Sequence, residues 1–499
     1  MGGSFDAAAF EALQARLAPM WPAMTLRQQD EERTIVVVSS ISVRVPEHIH
    51  PLLPAYEERY LIYVLGLAQA PSTRVIYVTS QPILPRMLDY YLGLIPGLDR
   101  EELHSRLVPV SVGDWSPRPL SEKILERPRL LRRLRSLIPD TSRAVLIPFV
   151  TTELEARLAL ELDIPVYGPH PDLAPLGTKS GGREVFTAAG VPHPEGREGL
   201  RDVADLLDAL EAMVAMQDPP AEAIVKLEDS VSGFGNAVVD LRGATTRADL
   251  AARLRTLQPE EPGLAPEAYV ARFDADGGVV EERIVGDDLR SPSVQLRASP
   301  EGGVEVLATH DQVLGGPTGQ TYLGCRFPAD PDYAVPLAGH ATAVAEELSR
   351  RGVIGRFSVD FVVTRHGEEW SAHAVEINLR NGGTTHPGLA LLALTEGHYH
   401  PDTGRYLVDG TPKHYVATDH LEPPGLRTLT PDDVLDVSEA SGLVWDDAAR
   451  TGLVFHMLSG VGVAGSVGLT AIADNAVDAA GLYDKAATTL ASAALDRDV

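Results

Sequence analysis

The chain has 499 residues, too long for one ordinary hydrophobic core, so two to four domains or lobes are expected. Its net charge of −27 argues against the basic footprint of a nucleic-acid binder, and no apolar run is long enough to cross a membrane. The start lacks the basic-then-apolar plan of a secretory signal, Asp6 stands where a myristoylation signal wants Ser or Thr, and the single cysteine, Cys325, permits no internal disulfide, all of which point to the cytoplasm.

Residues 33–170 alternate strand and helix patterns. "TIVVVSS", "RVIYVTS", "RLVPVSV" and "RAVLIPFV" read as buried parallel strands, and "EERYLIYVLGLA" and "SEKILERPRLLRRLRSLI" as helices between them. This is a doubly wound α/β layer without a glycine-rich dinucleotide fingerprint. A helix over 199–216 precedes the strand "EAIVKLE" (222–228), the turn "DSVSGFGN", the strand "AVVDL" and a helix over "TRADLAARLRTL". From 268 to 380 the pattern is mostly β, beginning with "AYVARFD" and ending with "SAHAVEINLR", interrupted by one helix, "AGHATAVAEELSRRG". The last hundred residues hold a hairpin-like "GLVFHMLSGVGVAGSVGLTAIAD" and a closing helix near 475–494.

Only five of the 43 basic residues are lysine. A lysine kept in an arginine-writing chain suggests a compact point charge for phosphate. Lys123 and Lys485 read as surface residues, whereas Lys179 and Lys226 sit in better company. Lys179 enters a helix in "GTKSGGREVF", where its charge opposes the helix dipole. Lys226 lies inside an apolar strand and is followed by Gly233 and Gly235, a turn that lets backbone N–H groups approach phosphate oxygens.

The segments "GRFSVDFVV" and "WSAHAVEINLR" flank the turn "TRHGEE". A hairpin centred near Gly367 pairs even-numbered residues with even, so Arg356, Asp360, Glu376, Asn378 and Arg380 share one face. Phe357, Val359, Phe361, Val375, Ile377 and Leu379 face a core. The oxygen donors suit Mg²⁺, and an arginine beside them suits a phosphoryl group or oxyanion. By itself the hairpin fits a solvated face stitched by salt bridges equally well.

The order of these parts resembles the ATP-grasp superfamily over roughly residues 33–390. The matching pieces are "GTKSGG", "IVKLEDSVSGFGN", "VVEERIVGDD", "SVDF" and "EINLRNGG" after an α/β pre-domain. The whole chain is most similar to the pheganomycin-type peptide ligases, through "THDQVLGGPTGQTYLGCRFPA", "EINLRNGGTTHPG" and "GSVGLTAIADNAVDAAGLYDKA".

The resemblance implies an ATP-grasp fold: an α/β pre-ATP-grasp domain over 1–178, a small lobe with the glycine loop over 179–265, a large lobe with the metal site over 266–397, and a C-terminal extension over 398–499. It implies that Lys179 and Lys226 contact ATP phosphates and that Gly233 and Gly235 close over them. Glu281 and the Glu282–Ile284 backbone bracket adenine, and Asp288 stands at the ribose where a glutamate is common. Asp360, Glu376 and Asn378 hold Mg²⁺, while Arg380, with Lys226, acts in catalysis. Arg297, His310, Gln312, Arg356 and Thr384 are assigned to the substrate.

Other motif-like stretches read as ordinary structure. "GVGVAG" (460–465) fits a dinucleotide motif but reads as a hairpin turn, since no helix follows it. Ser358 and His386 lack an acid, Cys325 reads as a packed residue, and the histidines show no metal-ligand spacing. The expected activity is an ATP-dependent carboxylate–amine ligase working through an acyl phosphate. It would join an amino acid or related acid to an amino acid or peptide amine, without nucleic acid or membrane partners; the family tends to homodimers. A small-molecule kinase and a non-catalytic ATP-binding module remain alternatives.

Overall fold

The computed structural model describes residues 5–25, 32–69, 72–95, 97, 99–230 and 233–495. Strands Arg33–Val38, Thr73–Thr79, Leu107–Ser111 and Ala144–Pro148 form a parallel sheet in which the first strand lies between the second and the fourth. Their apolar runs are buried on both faces, as parallel strands between helices require. The expected helix over 121–138 breaks in two, Leu120–Leu125 and Pro128–Leu137, because Pro128 cannot continue the first and starts the second. Lys123 is not a surface residue. It is 2% exposed and donates to Ser80 Oγ at 2.9 Å and to the Asp114 carbonyl at 3.2 Å.

A five-stranded sheet follows, ordered Gly196–Leu200, Gly278–Glu282, Glu222–Leu227, Asn236–Asp240 and Gln258–Pro259. The segment "AYVARFD", expected as a strand, lies in the helix Pro266–Asp276. Proline at its first position and the buried pair Tyr269 and Phe273, four residues apart, are helix signals that outweigh the β-prone composition. Residues 231 and 232 of the expected glycine turn lie outside the described residues.

The third layer is a nine-stranded antiparallel sheet. Its strands include Pro292–Ala298, Val304–Gly315, Thr321–Phe327, Gly355–His366 and Glu369–Asn378, and it continues through His414–Leu421, Val467–Ala473 and Gly452–His456. Two expected boundaries therefore do not separate sheets. The smaller sheet draws a strand from beyond residue 265, and the larger draws three from beyond 397. The segment 452–473 pairs as a hairpin, but "GVGVAG" inside it makes a short helical turn, Gly460–Ala464, rather than a plain loop. Among the described residues no helix is long and apolar enough to cross a membrane.

The C-terminal strands are tied to the first layer by a buried charge. Arg59, on the helix Leu53–Arg59, pairs with Asp419 on the strand His414–Leu421, and both side chains are 5% exposed. Asp419 Oδ1 also meets His456 Nε2 at 2.8 Å, and His456 Nδ1 meets His386 Nε2 at 3.0 Å. His386 thus does have an acid, reached through a second histidine. These three side chains could converge on a metal by distance, but Asp419 is already neutralised by Arg59. Burial opposes the charge of Asp419, yet the Arg59 guanidinium and His456 hold its carboxyl far below the usual range. Burial, reinforced by the neighbouring imidazole, keeps His386 neutral. Removing one partner leaves an uncompensated buried charge, so Asp419→Ala should cost about 3–5 kcal/mol and lower the urea midpoint of the C-terminal strands, followed by hydrogen exchange.

Candidate active site

The hairpin Gly355–His366 with Glu369–Asn378 turns through Gly367 and Glu368, with Gly367 at φ 66°. Next to the turn, odd residues pair with even ones, for instance His366 with Glu369 and Phe361 with Ala374. A β-bulge then leaves Val375 without a partner, and beyond it Asp360 faces Glu376 and Ser358 faces Asn378. The expected even-with-even register therefore holds at the site because of the bulge, which the sequence pattern did not reveal. The bulge also moves Val375. It is not in the core with Phe357, Val359, Phe361 and Ile377, but lines the cleft.

That cleft, of about 260 Å³, lies between the two antiparallel sheets. It is lined by Lys226, Gly233, Glu281, Glu282, Ile284, Gln312, Asp360, Glu376, Asn378, Arg380 and Thr384. Lys179 reaches it through Glu376, with Nζ 2.8 Å from Oε1. Lys179 is the first residue of the helix Lys179–Ala189, as expected. The acid that satisfies this helix start is Glu228, which accepts from Ser180 N at 2.9 Å and Ser180 Oγ at 2.6 Å. Lys226 pairs with buried Glu281 and donates to the Val375 carbonyl at 3.4 Å. Arg183, missed from the sequence, is 4% exposed and donates to Glu281 Oε1 at 2.9 Å, fixing that carboxylate from behind.

Gly233 takes φ 82°, and a Cβ there would lie 2.4 Å from the Gln320 carbonyl oxygen. The glycine turn of one sheet is thus pressed against the loop 316–321 of the other, and Asn236 Nδ2 donates to Gln320 Oε1 at 2.9 Å. Buried Glu260 organises this loop, accepting from Thr318 N at 2.8 Å and Thr321 N at 2.9 Å. Loop residues Thr318 and Gln320, and Tyr322 on the strand that follows, line the cleft. Only the phrase "GGPTGQ", with its turn-forming residues, hinted at this.

Some expected site residues stand elsewhere. Asp288 does not line the cleft but pairs with Arg290 at 2.8 Å, since the chain turns away before the strand Leu289–Arg290. Arg297, His310 and Arg356 line a neighbouring cavity, and Thr384 lines both. His310 is fully buried, 2.5 Å from the Tyr415 hydroxyl, and burial depresses its pKa to about 3.

The electrostatics fit a divalent cation. Asp360 and Glu376 are directly opposite on neighbouring strands, an arrangement that like charges disfavour. Burial, then the charge of Glu376, pushes Asp360 up to about 6. Burial is the largest influence on Glu376 and acts to raise it, but the Lys179 ammonium, Arg380 and Lys226 together hold that carboxyl below its usual value. Asn378 Nδ2 donates to Asp360 Oδ2 at 3.0 Å. Two buried facing carboxylates with an amide beside them are a donor set whose chemistry suits a divalent cation.

Comparison with known proteins shows the family. The family described as IQCH-like, ATP-grasp matches residues 265–400, and the one described as PGM1 C-terminal domain matches 433–486. L-propargylglycine--L-glutamate ligase of Streptantibioticus cattleyicolor is 32% identical over 450 residues, covering 88% of this chain and 90% of that protein. The chain belongs to the ATP-grasp superfamily. IQ motif-containing protein H of Danio rerio is 26% identical over 505 residues, and the match spans 90% of this chain but 47% of that protein. Among solved structures, biotin carboxylase from Campylobacter jejuni has a TM-score of 0.55 at 14% identity, covering 93% of this chain and 95% of that one. N5-carboxyaminoimidazole synthetase from Staphylococcus aureus, with ADP, has a TM-score of 0.52 at 11% identity, covering 93% and 99%. The chain is an ATP-dependent carboxylate–amine ligase, which sets aside the kinase and the non-catalytic module.

Because charged Asp360 is a burden on the protein without nucleotide or metal, Asp360→Asn should raise its melting temperature at pH 7.5. The carboxyl is raised, so the penalty is present above about pH 6 and fades as pH falls towards the unfolded value. Melting curves of both proteins from pH 5 to 8 measure this; an equal gain at every pH would contradict it.

Proposed function

We propose that this ligase activates the carboxylate of an amino acid or related acid as an acyl phosphate and joins it to the amine of an amino acid or peptide. The observation that carries the reading is the single cleft in which Lys226, Arg380 and the opposed pair Asp360 and Glu376 meet below the glycine turn. The relative's name, which pairs two amino acids, supports the choice of substrates.

Lys179 and Lys226 are poised to exchange their present carboxylate partners for phosphate oxygens. Asp360, Glu376 and Asn378 would hold Mg²⁺, which when bound neutralises charge on the phosphates. Glu281 to Ile284 would border the adenine, with Gly233 and Gly235 and the loop 316–321 excluding water from a hydrolysable acyl phosphate. The substrate carboxylate displaces ADP from the γ-phosphorus, and the amine then displaces phosphate from the acyl carbon. Arg380, whose guanidinium carbon sits 5.7 Å from the centre of the Phe149 ring, is placed to steady the oxyanion of the second step. No protein nucleophile takes part.

The test is ADP release with Mg²⁺-ATP against amino-acid pools, with products weighed by mass spectrometry. The expected product equals donor plus amine less water, formed only when both are present; a phosphorylated, unjoined product would overturn the reading. Glu376→Ala should abolish ADP release while leaving the fold intact by circular dichroism. Lys226→Ala should weaken ATP binding by about 10- to 100-fold, the loss of one charge-assisted hydrogen bond, as read by calorimetry.

A further inference from the structure

Beside the nucleotide cleft lies a second cavity of about 500 Å³, within the usual size of small-molecule sites, and Thr384 belongs to both walls. It sits where the parallel layer meets the large antiparallel sheet. Tyr63 and Tyr167 line one side, Arg297, His310 and Arg356 another, and Tyr399 a third.

Its charge is the reverse of the molecule's. The chain carries 70 acidic residues against 43 basic ones, yet among the described residues Arg297 and Arg356, with Arg33 beside them, line this cavity and Glu305 is the one carboxylate that does. His310 adds nothing, since burial keeps it neutral. Arg297 and Arg356 stand directly opposite each other on adjacent strands, where like charges repel. Glu305, opposite Arg297 on the other side, answers that residue alone, 3.2 Å from its Nε. Among the described residues Arg356 has no ion pair, although it is half-buried. A half-buried guanidinium held against another, without a carboxylate of its own, is costly unless an anion completes the site. Planar guanidiniums favour carboxylates, which they grip with two parallel hydrogen bonds.

We propose that this cavity is an acid-selective substrate subsite: it takes the part of an acidic amino acid or acidic peptide that does not react, with a carboxylate on Arg356 and Arg297, and directs the reacting end past Thr384 into the nucleotide cleft. The inference rests on the ligase reading for the term substrate, and its binding test does not require turnover.

The experiment compares acid and amide pairs: L-glutamate with L-glutamine, L-aspartate with L-asparagine, and dipeptides ending in each. Binding is measured by calorimetry in the presence of Mg²⁺-ADP, and kcat/KM by ADP release with an amino-acid partner pool. In at least one pair the acid should bind and react about tenfold or more better than its amide. Arg356→Met should remove that preference with ATP affinity unchanged, because Arg356 does not line the nucleotide cleft. Arg356→Lys, which keeps the charge without the fork, should restore part of the preference. Equal use of acids and amides, or a preference that survives Arg356→Met, would overturn the proposal and leave the ligase reading standing. Acid-selective binding without ligation of any pool would support the subsite and count against the ligase reading. No acid-selective binding in any pair would overturn the subsite whether or not turnover is seen.

Discussion

Two carboxylates that face each other across neighbouring strands govern the rest of this active site. Asp360 and Glu376 cannot both stay charged cheaply when buried side by side. The protein answers with cations from elsewhere in the chain: Lys179 comes from a helix start and pairs with Glu376, while Arg380 follows on from the second strand. Lys226 is held one step away by Glu281, itself pinned by Arg183. The cleft therefore contains a set of mutually compensating ion pairs, which on the proposed reading give way to phosphates and a divalent cation.

The register that produces this opposition depends on one extra residue. Without the bulge at Val375, the pairing at the turn would continue unchanged, and Asp360 would face Val375 instead of Glu376. The same residue offers its carbonyl to Lys226 and its side chain to the cleft wall. A local irregularity thus sets the charge pairing and part of the shape of the site.

Much of this was legible in the sequence because the relevant signals are local. Alternation showed the hairpin and its polar face, and the scarcity of lysine singled out Lys179 and Lys226. What was not legible depends on partners distant in sequence. Lys123 looks like a helix-surface residue until Ser80 and Asp114 are brought over it. Asp419 and His456 give no hint that they complete a chain from Arg59 to His386, because the contacts span up to 360 residues. Arg183 and Glu260 are ordinary polar residues in helix and loop sequence, and only burial shows what they hold. The segment 268–274 was misread for a different reason, since a short apolar run with aromatic and β-branched residues fits both periods and only its proline start and i, i+4 aromatic pair distinguish them.

Glu260 also bears on turnover. It hangs from the edge of the smaller sheet, its own N–H donating to the Asn236 carbonyl at 2.9 Å, yet it grips a loop of the larger one. The mouth of the cleft is consequently closed by a clasp with one half on each side, made of hydrogen bonds rather than apolar contact. Such a clasp opens without exposing hydrophobic surface, and water can replace its bonds one at a time. On the proposed reading of the cleft as the ATP site, exchange of ADP for ATP would require a single buried carboxylate to let go of its loop, a step separate from the bond chemistry below it.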